Sequence, residues 1–395
     1  MVWKICLLVG YILGSISPSY ILGKILKKID IREHGTRNAG TVNTYKTLGP
    51  VPALITASFD ISKGLLAMYI AHVLGAPLLC VNLAGFAAIA GHVFPFYLKF
   101  RGGQGVATAT AILIYYLILF YARNWLPYET LILLTIAVIS FSYIAKKGEV
   151  VGITILPLLG IFIIVFSPFQ IYQIFILGVI VYILLINILN IRHEKLLKPP
   201  SEKAKKELNW RLYLRPLAVL LIVNYMKTDK KETLVLIGSI VIFFLLLDLI
   251  RLFSKKINIF FFQNVKDLYK SKEYKKFSSI TLFLFACFLT ILLFERNIAT
   301  LAISYLIFGD FFSKFFGLLF GRTKIFEKTF EGSLAHFNAC LISGYIMLQF
   351  TSLPLHVYLT GAMVATTSEV LPLGVDDNFS VALLSASTMF VFHLF

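Results

Sequence analysis

Long apolar runs, repeated along almost the whole chain, limit what this sequence can fold into. Of its 395 residues, 58% are hydrophobic and only 14% are charged, whereas about a quarter of a soluble domain is charged. Many of the runs reach roughly 17–25 residues, the length of a membrane-spanning helix. Because a helix satisfies its own backbone hydrogen bonds in lipid, the sequence predicts an all-α, polytopic membrane protein.

The positive charge of the chain also fits a membrane protein. The formal net charge is +17, and Lys and Arg collect in the segments between apolar runs, as in cytoplasmic loops that face anionic lipids. We therefore expect membrane lipids as partners and no nucleic acid. The four cysteines stand in apolar segments without metal-ligand spacing and are interpreted as packing residues: Cys6, Cys80, Cys287 and Cys340.

The apolar runs predict about fourteen spans in two fused domains, residues 1–205 and 206–395, joined by a polar linker that begins at Lys198. Loop charge places the basic loops on the cytoplasmic side of the cell membrane, and with them the candidate sites. The predicted spans are 3–23, 51–72, 78–98, 105–122, 129–145, 150–167, 170–190, 212–226, 233–250, 277–294, 297–320, 332–351, 354–372 and 379–395.

Three polar clusters in the first half carry the chemistry. A glycine loop, Arg101-Gly102-Gly103-Gln104-Gly105, follows Gly91-His92-Val93-Phe94-Pro95 and opens into an apolar helix. Bare glycines and a helix N-terminus suit a phosphate group. The other clusters are Asp60 with Lys63, and a loop with nearby polar residues: Ser15, Arg32, Thr36, Arg37, Asn38, Thr41 and Asn43. Taken singly, each is also typical of turns, topology determinants or an intrahelical ion pair.

The order and spacing of these motifs resemble the bacterial membrane acyl-phosphate:glycerol-3-phosphate acyltransferase family over about 200 residues. The resemblance implies transfer of an acyl group from acyl phosphate to glycerol 3-phosphate, with no cofactor, giving lysophosphatidic acid. It implies catalytic roles for Ser15, Arg32, Asn38, Lys63 and Asn190. It implies substrate-binding roles for Thr36, Thr41, Asn43, His92, Arg101, Gly102, Gly103 and Gly105.

The chain departs from the family pattern at several of these positions. Thr36 and Arg37 stand where Ser-Gly is usual, and Gln104 replaces a lysine of the glycine loop. Asn187 takes the place of a histidine in the last motif. A weakened or inactive acyltransferase half therefore stays open as an alternative.

Acidic groups inside apolar helices mark the second half. A charged side chain at mid-bilayer costs about 2.5–3.5 kcal/mol on insertion scales, so such groups usually have a function. Asp310 and Glu369 are examples, and glycines and bases surround them in the sequence. This combination suits a nucleotide phosphate with Mg²⁺. Helix caps and structural ion pairs are the alternative interpretations.

The second half resembles the CTP-dependent lipid kinases, a family that includes dolichol, phytol and diacylglycerol kinases. The matching pieces are Gly309-Asp310, Gly317 and Gly321, Lys328-Thr329-Phe330-Glu331-Gly332-Ser333, Gly361-Ala362 to Glu369, and Asp377-Asn378. The resemblance implies phosphate transfer from CTP to a lipid alcohol. It implies nucleotide binding by Gly309, Lys324, Lys328 and Gly332, and Mg²⁺ binding by Asp310, Glu331 and Asp377. A cytidylyltransferase, a membrane transporter and a non-catalytic scaffold stay open as alternatives.

Overall fold

The computed structural model describes residues 2–197, 199, 201–202, 212, 215–264 and 273–394. Helices account for nearly all of the regular structure. The first nine are α1 (Val2–Ser15), α2 (Pro18–Lys27), α3 (Thr41–Leu48), α4 (Pro50–Val73), α5 (Leu78–Val93), α6 (Val106–Ala122), α7 (Tyr128–Ala145), α8 (Gly148–Phe166) and α9 (Ile171–Glu194). Short 3₁₀ turns cover Ile31–Glu33 and Phe96–Leu98.

The later helices are shorter on average. They are α10 (Val219–Lys227), α11 (Lys230–Phe253), α12 (Lys255–Asn264), α13 (Ser279–Leu293), α14 (Arg296–Ser304), α15 (Asp310–Phe320), α16 (Phe330–Leu348), α17 (Leu355–Val370), α18 (Asp377–Phe379) and α19 (Ser385–His393). Two π-helical turns, Tyr305–Gly309 and Ser380–Leu384, precede α15 and α19, and a 3₁₀ turn covers Arg215–Ala218. A two-stranded antiparallel hairpin pairs β1 (Lys324–Ile325) with β2 (Lys328–Thr329).

The structure confirms an all-α, polytopic membrane protein. Eight helical segments among the described residues are long and apolar enough to cross a membrane. They are Val2–Lys27, Pro50–Val73, Leu78–Leu98, Tyr128–Ala145, Gly148–Phe166, Ile171–Glu194, Lys230–Phe253 and Arg296–Phe320. Two shorter apolar helices are α6 and α13.

The predicted count of about fourteen spans is matched better in the first half than in the second. Each of the seven spans predicted before residue 191 has a helix at its position, six of them at full spanning length. Each of the seven later ones also has a helix, but only two of the described segments there, Lys230–Phe253 and Arg296–Phe320, are both long and apolar enough to cross a membrane. The difference arises because α10, α13, α17 and α19 have only 9, 15, 16 and 9 residues, while α16 has 19 residues but is not apolar enough to qualify.

The chain divides into two compact units. Unit 1 contains Met1–Ile132 and Gly148–Leu196, and unit 2 contains Leu133–Lys147 and Leu197–Phe395. Helix α7 therefore begins in unit 1 and ends in unit 2. The predicted domain boundary at 205/206 lies outside the described residues.

Small residues let α1 and α5 approach each other closely in unit 1. A side chain at Gly10 or Gly14 would overlap the backbone of Ala84 or Ala88, and one at Gly91 would overlap the backbone of α1. This is the small-residue spacing with which membrane helices pack backbone against backbone. It places the C-terminal end of α1, including Ser15, directly beside the end of α5 that leads into the glycine loop.

Arg251 is an unexpected core residue of unit 2. Arg251 lies between the predicted spans 233–250 and 277–294, where a loop residue was expected, but it is fully buried. Its Nη2 donates to Asp248 Oδ1 at 2.8 Å, and the other Asp248 oxygen accepts from Thr281 Oγ1 at 2.7 Å and from the Ser278 amide at 2.8 Å. This network joins the end of α11 to the start of α13.

Candidate functional site

The guanidinium of Arg32 joins the loop between α2 and α3 to the loop between α5 and α6. The Nε and Nη2 of Arg32 donate to the two carboxylate oxygens of Asp30 at 3.0 and 2.7 Å. Its Nη1 donates to the carbonyl oxygens of Leu98 and Arg101, each at 2.9 Å. Arg32 therefore fastens the loop that it belongs to onto the start of the glycine loop.

The Arg32–Asp30 pair is stabilised in its charged form. Hydrogen bonding to the Arg32 guanidinium lowers the pKa of Asp30 below its ordinary value, and the same bond raises the pKa of Arg32. Asp30 also accepts from the Arg32 amide at 3.0 Å, capping the 3₁₀ turn. A carboxylate is thus held ready to orient the guanidinium across the neutral pH range.

The side chain of Asn43 holds the loop between α2 and α3 in shape through hydrogen bonds to its backbone. Its side-chain nitrogen donates to the carbonyl oxygens of Ile31, His34 and Asn38 at 2.8, 3.0 and 2.9 Å. Its side-chain oxygen accepts from the Thr36 amide at 2.7 Å. Because Asn43 is 1% exposed and all of these partners are backbone groups, the structure gives it a positioning role in the loop.

The remaining predicted residues of this loop lie nearer the surface. Asn38 is half-buried and Arg37 is exposed. Arg37 has a φ of 55°, a left-handed conformation that favours glycine, which is the usual residue here in the family pattern. Thr41 begins α3 and lines a shallow apolar groove of about 570 Å³. The groove is otherwise lined by Val42, Tyr45, Pro50, Ala53, Leu54 and Ala57.

The two central glycines of the glycine loop matter for their missing side chains and do not offer free N–H donors. The amides of Gly102 and Gly103 donate to the carbonyl oxygens of Val93 and His92 at 2.9 and 3.1 Å. A side chain at Gly103 would overlap the His92 ring and the Ala39 carbonyl. These glycines therefore allow the loop to fold back on the end of α5.

The end of the glycine loop is held by α9. Gln104 and Asn190 exchange two amide hydrogen bonds, of 2.7 and 3.2 Å. The Tyr182 hydroxyl donates to the Gln104 carbonyl at 2.6 Å. Gly105 then turns with a φ of 65° into α6. The first turn of α6 leaves N–H groups without intrahelical partners, as every helix N-terminus does.

A buried polar cluster lies beneath the loop. Lys63 Nζ donates to Asp60 Oδ1 at 2.8 Å and to the Ile16 carbonyl at 3.3 Å. His92 Nδ1 contacts the same Asp60 oxygen at 3.4 Å, and Thr108 Oγ1 donates to the Asp60 carbonyl at 2.7 Å. Lys63 and Asp60 are 1% and 2% exposed. This pair thus links α4, α5, α6 and the end of α1.

Ser15 and Arg101 lie at different depths of the same region. The Ser15 hydroxyl is buried and donates to the Tyr11 carbonyl at 2.8 Å. Arg101 is exposed, although its backbone carbonyl accepts from Arg32. The sequence-predicted residues of unit 1 therefore form one continuous region, with a buried layer and an exposed basic rim.

Unit 2 contains a second cluster, centred on Asp310 at the start of α15. Asp310 is 3% exposed and forms ion pairs with Arg215 and with Lys314, the latter at 2.8 Å. Arg215 Nη2 also donates to the Asn378 side chain at 2.7 Å. Sequence analysis missed Arg215, and the only signal was a base at the start of an apolar run.

A second part of this cluster is centred on Lys328, the first residue of β2 in the hairpin. Its Nζ donates to Glu369 Oε1 at 2.9 Å and to Asp377 Oδ2 at 2.6 Å. Although burial disfavours the ammonium ion, these two carboxylates outweigh it and raise the pKa of Lys328. The Ser313 hydroxyl also donates to Glu369 Oε1, at 2.9 Å. Lys328 is therefore a permanent cation between two acids.

The three carboxylates predicted to bind Mg²⁺ are not assembled into a metal site. All three are paired with bases: Asp310 and Asp377 as described above, and Glu331 with the Arg322 guanidinium at 3.3 Å. Glu331 also accepts from the Arg322 and Thr323 amides at 2.9 and 3.2 Å. Among the positions that the structure describes, no three His, Cys, Asp or Glu side chains are grouped to hold a metal ion. These residues do not fit a resident Mg²⁺ in this arrangement.

The predicted nucleotide-binding residues are separated by depth. Lys324 is exposed on β1, while Gly309 is buried, with no room for a side chain beside the His336 ring. Gly332 packs against Gly317 and the Ser313 carbonyl. Both glycines thus allow close helix packing.

Comparisons with known proteins concern the first half of the chain. Residues 4–198 match the family model of glycerol-3-phosphate acyltransferase. Glycerol-3-phosphate acyltransferase 2 of Moorella thermoacetica is 37% identical over 162 residues, which are 40% of this chain and 78% of that relative. The glycerol-3-phosphate acyltransferase of Bacillus subtilis is 42% identical over 119 residues, 29% of this chain and 60% of that relative.

A solved structure is also similar. It is the glycerol 3-phosphate form of PlsY (YgiH), an integral membrane glycerol 3-phosphate acyltransferase, at 23% identity and a TM-score of 0.37. The alignment covers 49% of this chain and 90% of that one.

The helices and the loops that they carry define a polytopic helical membrane protein with a polar site at one end of unit 1. Similarity to its sequence relatives narrows the assignment from this class of protein to one family. The chain belongs to the glycerol-3-phosphate acyltransferase family, and the family match ends at residue 198.

Proposed function

We propose that unit 1 transfers an acyl group from acyl phosphate to glycerol 3-phosphate at the cytoplasmic face of the cell membrane. The observation that carries this proposal is the contact of Arg32 with the carbonyls of Leu98 and Arg101, just before and at the start of the glycine loop, because it brings the basic and glycine-rich motifs into one place. Acyl phosphate is already activated, so binding and alignment are the main tasks of the protein.

The free donors suit two phosphate groups. The N-terminal turn of α6 offers unpaired N–H groups and a favourable dipole to the acyl phosphate. Arg37 and Arg101 are exposed at the rim and can attract the anionic substrates. The apolar groove that begins at Thr41 suits the acyl chain.

The reaction itself needs no enzyme nucleophile. The hydroxyl oxygen of glycerol 3-phosphate forms a bond to the acyl carbon, and the bond from that carbon to the phosphate oxygen breaks, releasing inorganic phosphate. The family resemblance implies that the substrate phosphate takes the hydroxyl proton. Lys63, Asp60 and His92, which are hydrogen-bonded or in contact beneath the loop, would keep the pocket in shape.

The test measures transfer of labelled glycerol 3-phosphate by the purified protein supplied with palmitoyl phosphate. Gly103→Ala should lower kcat/KM at least tenfold, because the new methyl group overlaps His92 and Ala39 and displaces the loop. Gly148→Ala is the matched control, since its methyl group meets open space. Equal activity of the two variants, or an inactive wild-type protein, would contradict the proposal.

We also propose that unit 2 phosphorylates a lipid alcohol with CTP. The support is the convergence of Arg215, Lys314 and Lys328 on the buried acids Asp310 and Glu369, near two π-helical turns, since π-turns are frequent at functional sites. Because the carboxylates do not form a resident metal site, Mg²⁺ is taken to arrive with the nucleotide as substrate.

The test uses γ-labelled CTP with Mg²⁺ and vesicles that contain dolichol, phytol or dioleoylglycerol. Label should move to one of the lipids, and Lys328→Ala should abolish this transfer while acyl transfer continues. Label in none of the lipids would reject the kinase. Incorporation of the cytidine moiety instead would favour a cytidylyltransferase.

A further inference from the structure

One oxygen of Glu369 has no partner in the part of the chain that the structure describes. Glu369 is 2% exposed. Its Oε1 accepts from both Ser313 and Lys328, but its Oε2 is buried and accepts no hydrogen bond from any described residue. A buried polar atom without a partner is costly, so this oxygen indicates a place for an external donor.

A second unpartnered atom lies on a neighbouring side chain. His336 is fully buried, and its Nδ1 contacts Thr366 Oγ1 at 3.1 Å, one turn from Glu369 on α17. Its Nε2 faces Gly309 and has no hydrogen bond to the described residues. The Glu369 carboxylate on α17 and the His336 ring on α16 therefore each have one buried polar atom without a partner among the described residues.

The surrounding charges show what kind of ligand fits. Lys328 bonds both Glu369 and Asp377, while Arg215 and Lys314 bond Asp310. Three bases suit a transferring phosphate group. A carboxylate oxygen needs a donor, and among the reactants of a phosphotransferase the acceptor alcohol supplies one.

We propose that Glu369 is a catalytic residue of unit 2, whose Oε2 binds the hydroxyl of the lipid alcohol and removes its proton. This inference rests on the proposed kinase function. The hydroxyl proton moves to Oε2, and the alcohol oxygen forms a bond to the γ-phosphorus of the nucleoside triphosphate. The bond from that phosphorus to the β–γ bridging oxygen breaks, and its electron pair leaves with the nucleoside diphosphate.

The position of Glu369 is suited to this role. Its paired oxygen is held by Lys328 and Ser313, which fixes the direction in which the free oxygen points. A positioned general base contributes about 10²–10⁴-fold to a rate. A buried water molecule is the competing occupant of the same place.

The deciding experiment compares Glu369→Gln with the wild-type protein in the labelled-CTP assay. The amide keeps the shape and can still accept from Lys328, but it cannot take a proton. The kcat should fall at least about 100-fold, with the KM for CTP changed less than threefold. Glu327→Gln, on the exposed hairpin turn, is the matched control and should be unchanged.

Two results would overturn the proposal in distinguishable ways. If the wild-type protein phosphorylates a lipid and Glu369→Gln is within threefold of it, the oxygen holds only water and the kinase proposal survives. If the wild-type protein phosphorylates no lipid, both proposals fail. Protection of the buried thiols Cys287 and Cys340 from labelling in the same variant preparation shows that unit 2 is folded.

Discussion

The polar regions of the two units handle charge differently. In unit 1, Arg32 bonds backbone carbonyls as well as Asp30, Asn43 holds only backbone groups, and the start of α6 keeps open donors. In unit 2, Arg215, Lys314 and Lys328 each bond an acid. An anionic ligand therefore finds a preorganised loop in unit 1, but in unit 2 it has to compete with carboxylates.

The largest effect should come from removing a charge in unit 2. Asp310→Asn leaves Arg215 and Lys314 without their carboxylate, and breaking a buried ion pair costs about 3–5 kcal/mol. Because both bases are partly exposed, we expect about 3 kcal/mol of unfolding free energy. Asp376→Asn, a cap that an amide can replace, is the control.

Thiol labelling during thermal unfolding measures this loss in unit 2. In a Cys6→Ser, Cys80→Ser background, the dye reports on Cys287 and Cys340, which are both buried in unit 2. Equal labelling midpoints for the two aspartate variants would show that the carboxylate does not stabilise the cluster, and the contrast between the units would then disappear.

A smaller effect should follow from breaking the amide pair in unit 1. Asn190→Ala removes both bonds to Gln104, and net neutral hydrogen bonds contribute about 0.5–1.5 kcal/mol each. We expect about a tenfold rise in the KM for acyl phosphate. Gln104→Ala combined with Asn190→Ala should be no worse than either alone, because the two residues share one interaction.

The control for the amide pair is Gln170→Ala, an exposed residue at the other end of α9. Additive losses in the double variant would indicate that Gln104 and Asn190 act separately on the substrate. That result would restore the direct catalytic role that the sequence suggested for Asn190.

The smallest effect concerns the pH dependence of the Asp30–Arg32 pair. The pKa of Asp30 is lowered in the folded protein, so its stabilising effect is complete above the unfolded value of about 3.9. It is lost as the pH falls through the folded value. The thermal unfolding midpoints of wild-type protein and Asp30→Asn should differ at neutral pH, begin to converge below about pH 4, and coincide below the lowered pKa of folded Asp30. A constant difference would exclude this pair as the source.

The sequence predicted the membrane fold for simple reasons, and it singled out residues that the structure groups together in unit 1. The bilayer imposes the same requirements on every span: an apolar stretch long enough to cross it, and basic residues concentrated in the loops on one side. Local patterns singled out Arg32 and the glycines, and the structure brings these residues together; their roles in binding and catalysis stay predictions. It also shows that Gly102 and Gly103 use their amides within the fold, which spacing alone does not indicate.

Contacts between distant positions were beyond prediction from one sequence. Gln104 looked like the loss of a charge, yet it bonds Asn190, 86 residues away. Arg215 precedes Asp310 by nearly a hundred positions, and Arg251 looked like a loop residue although it is buried. Such pairs depend on how helices pack against one another. Because a membrane helix is apolar on all of its faces, its sequence does not indicate which face meets which neighbour.

Helix α7 limits how this protein can be divided into two separately expressed halves. The ring of Phe141 packs 4.8 Å from that of Phe316 and 6.2 Å from that of Phe312. Arg322 donates to the Tyr143 carbonyl at 2.7 Å. A polypeptide shortened to its first 196 residues would expose these aromatic groups, and one that begins at residue 197 would lack them. Laboratories wishing to study either half alone will need to keep both on one chain, silencing one by point substitution.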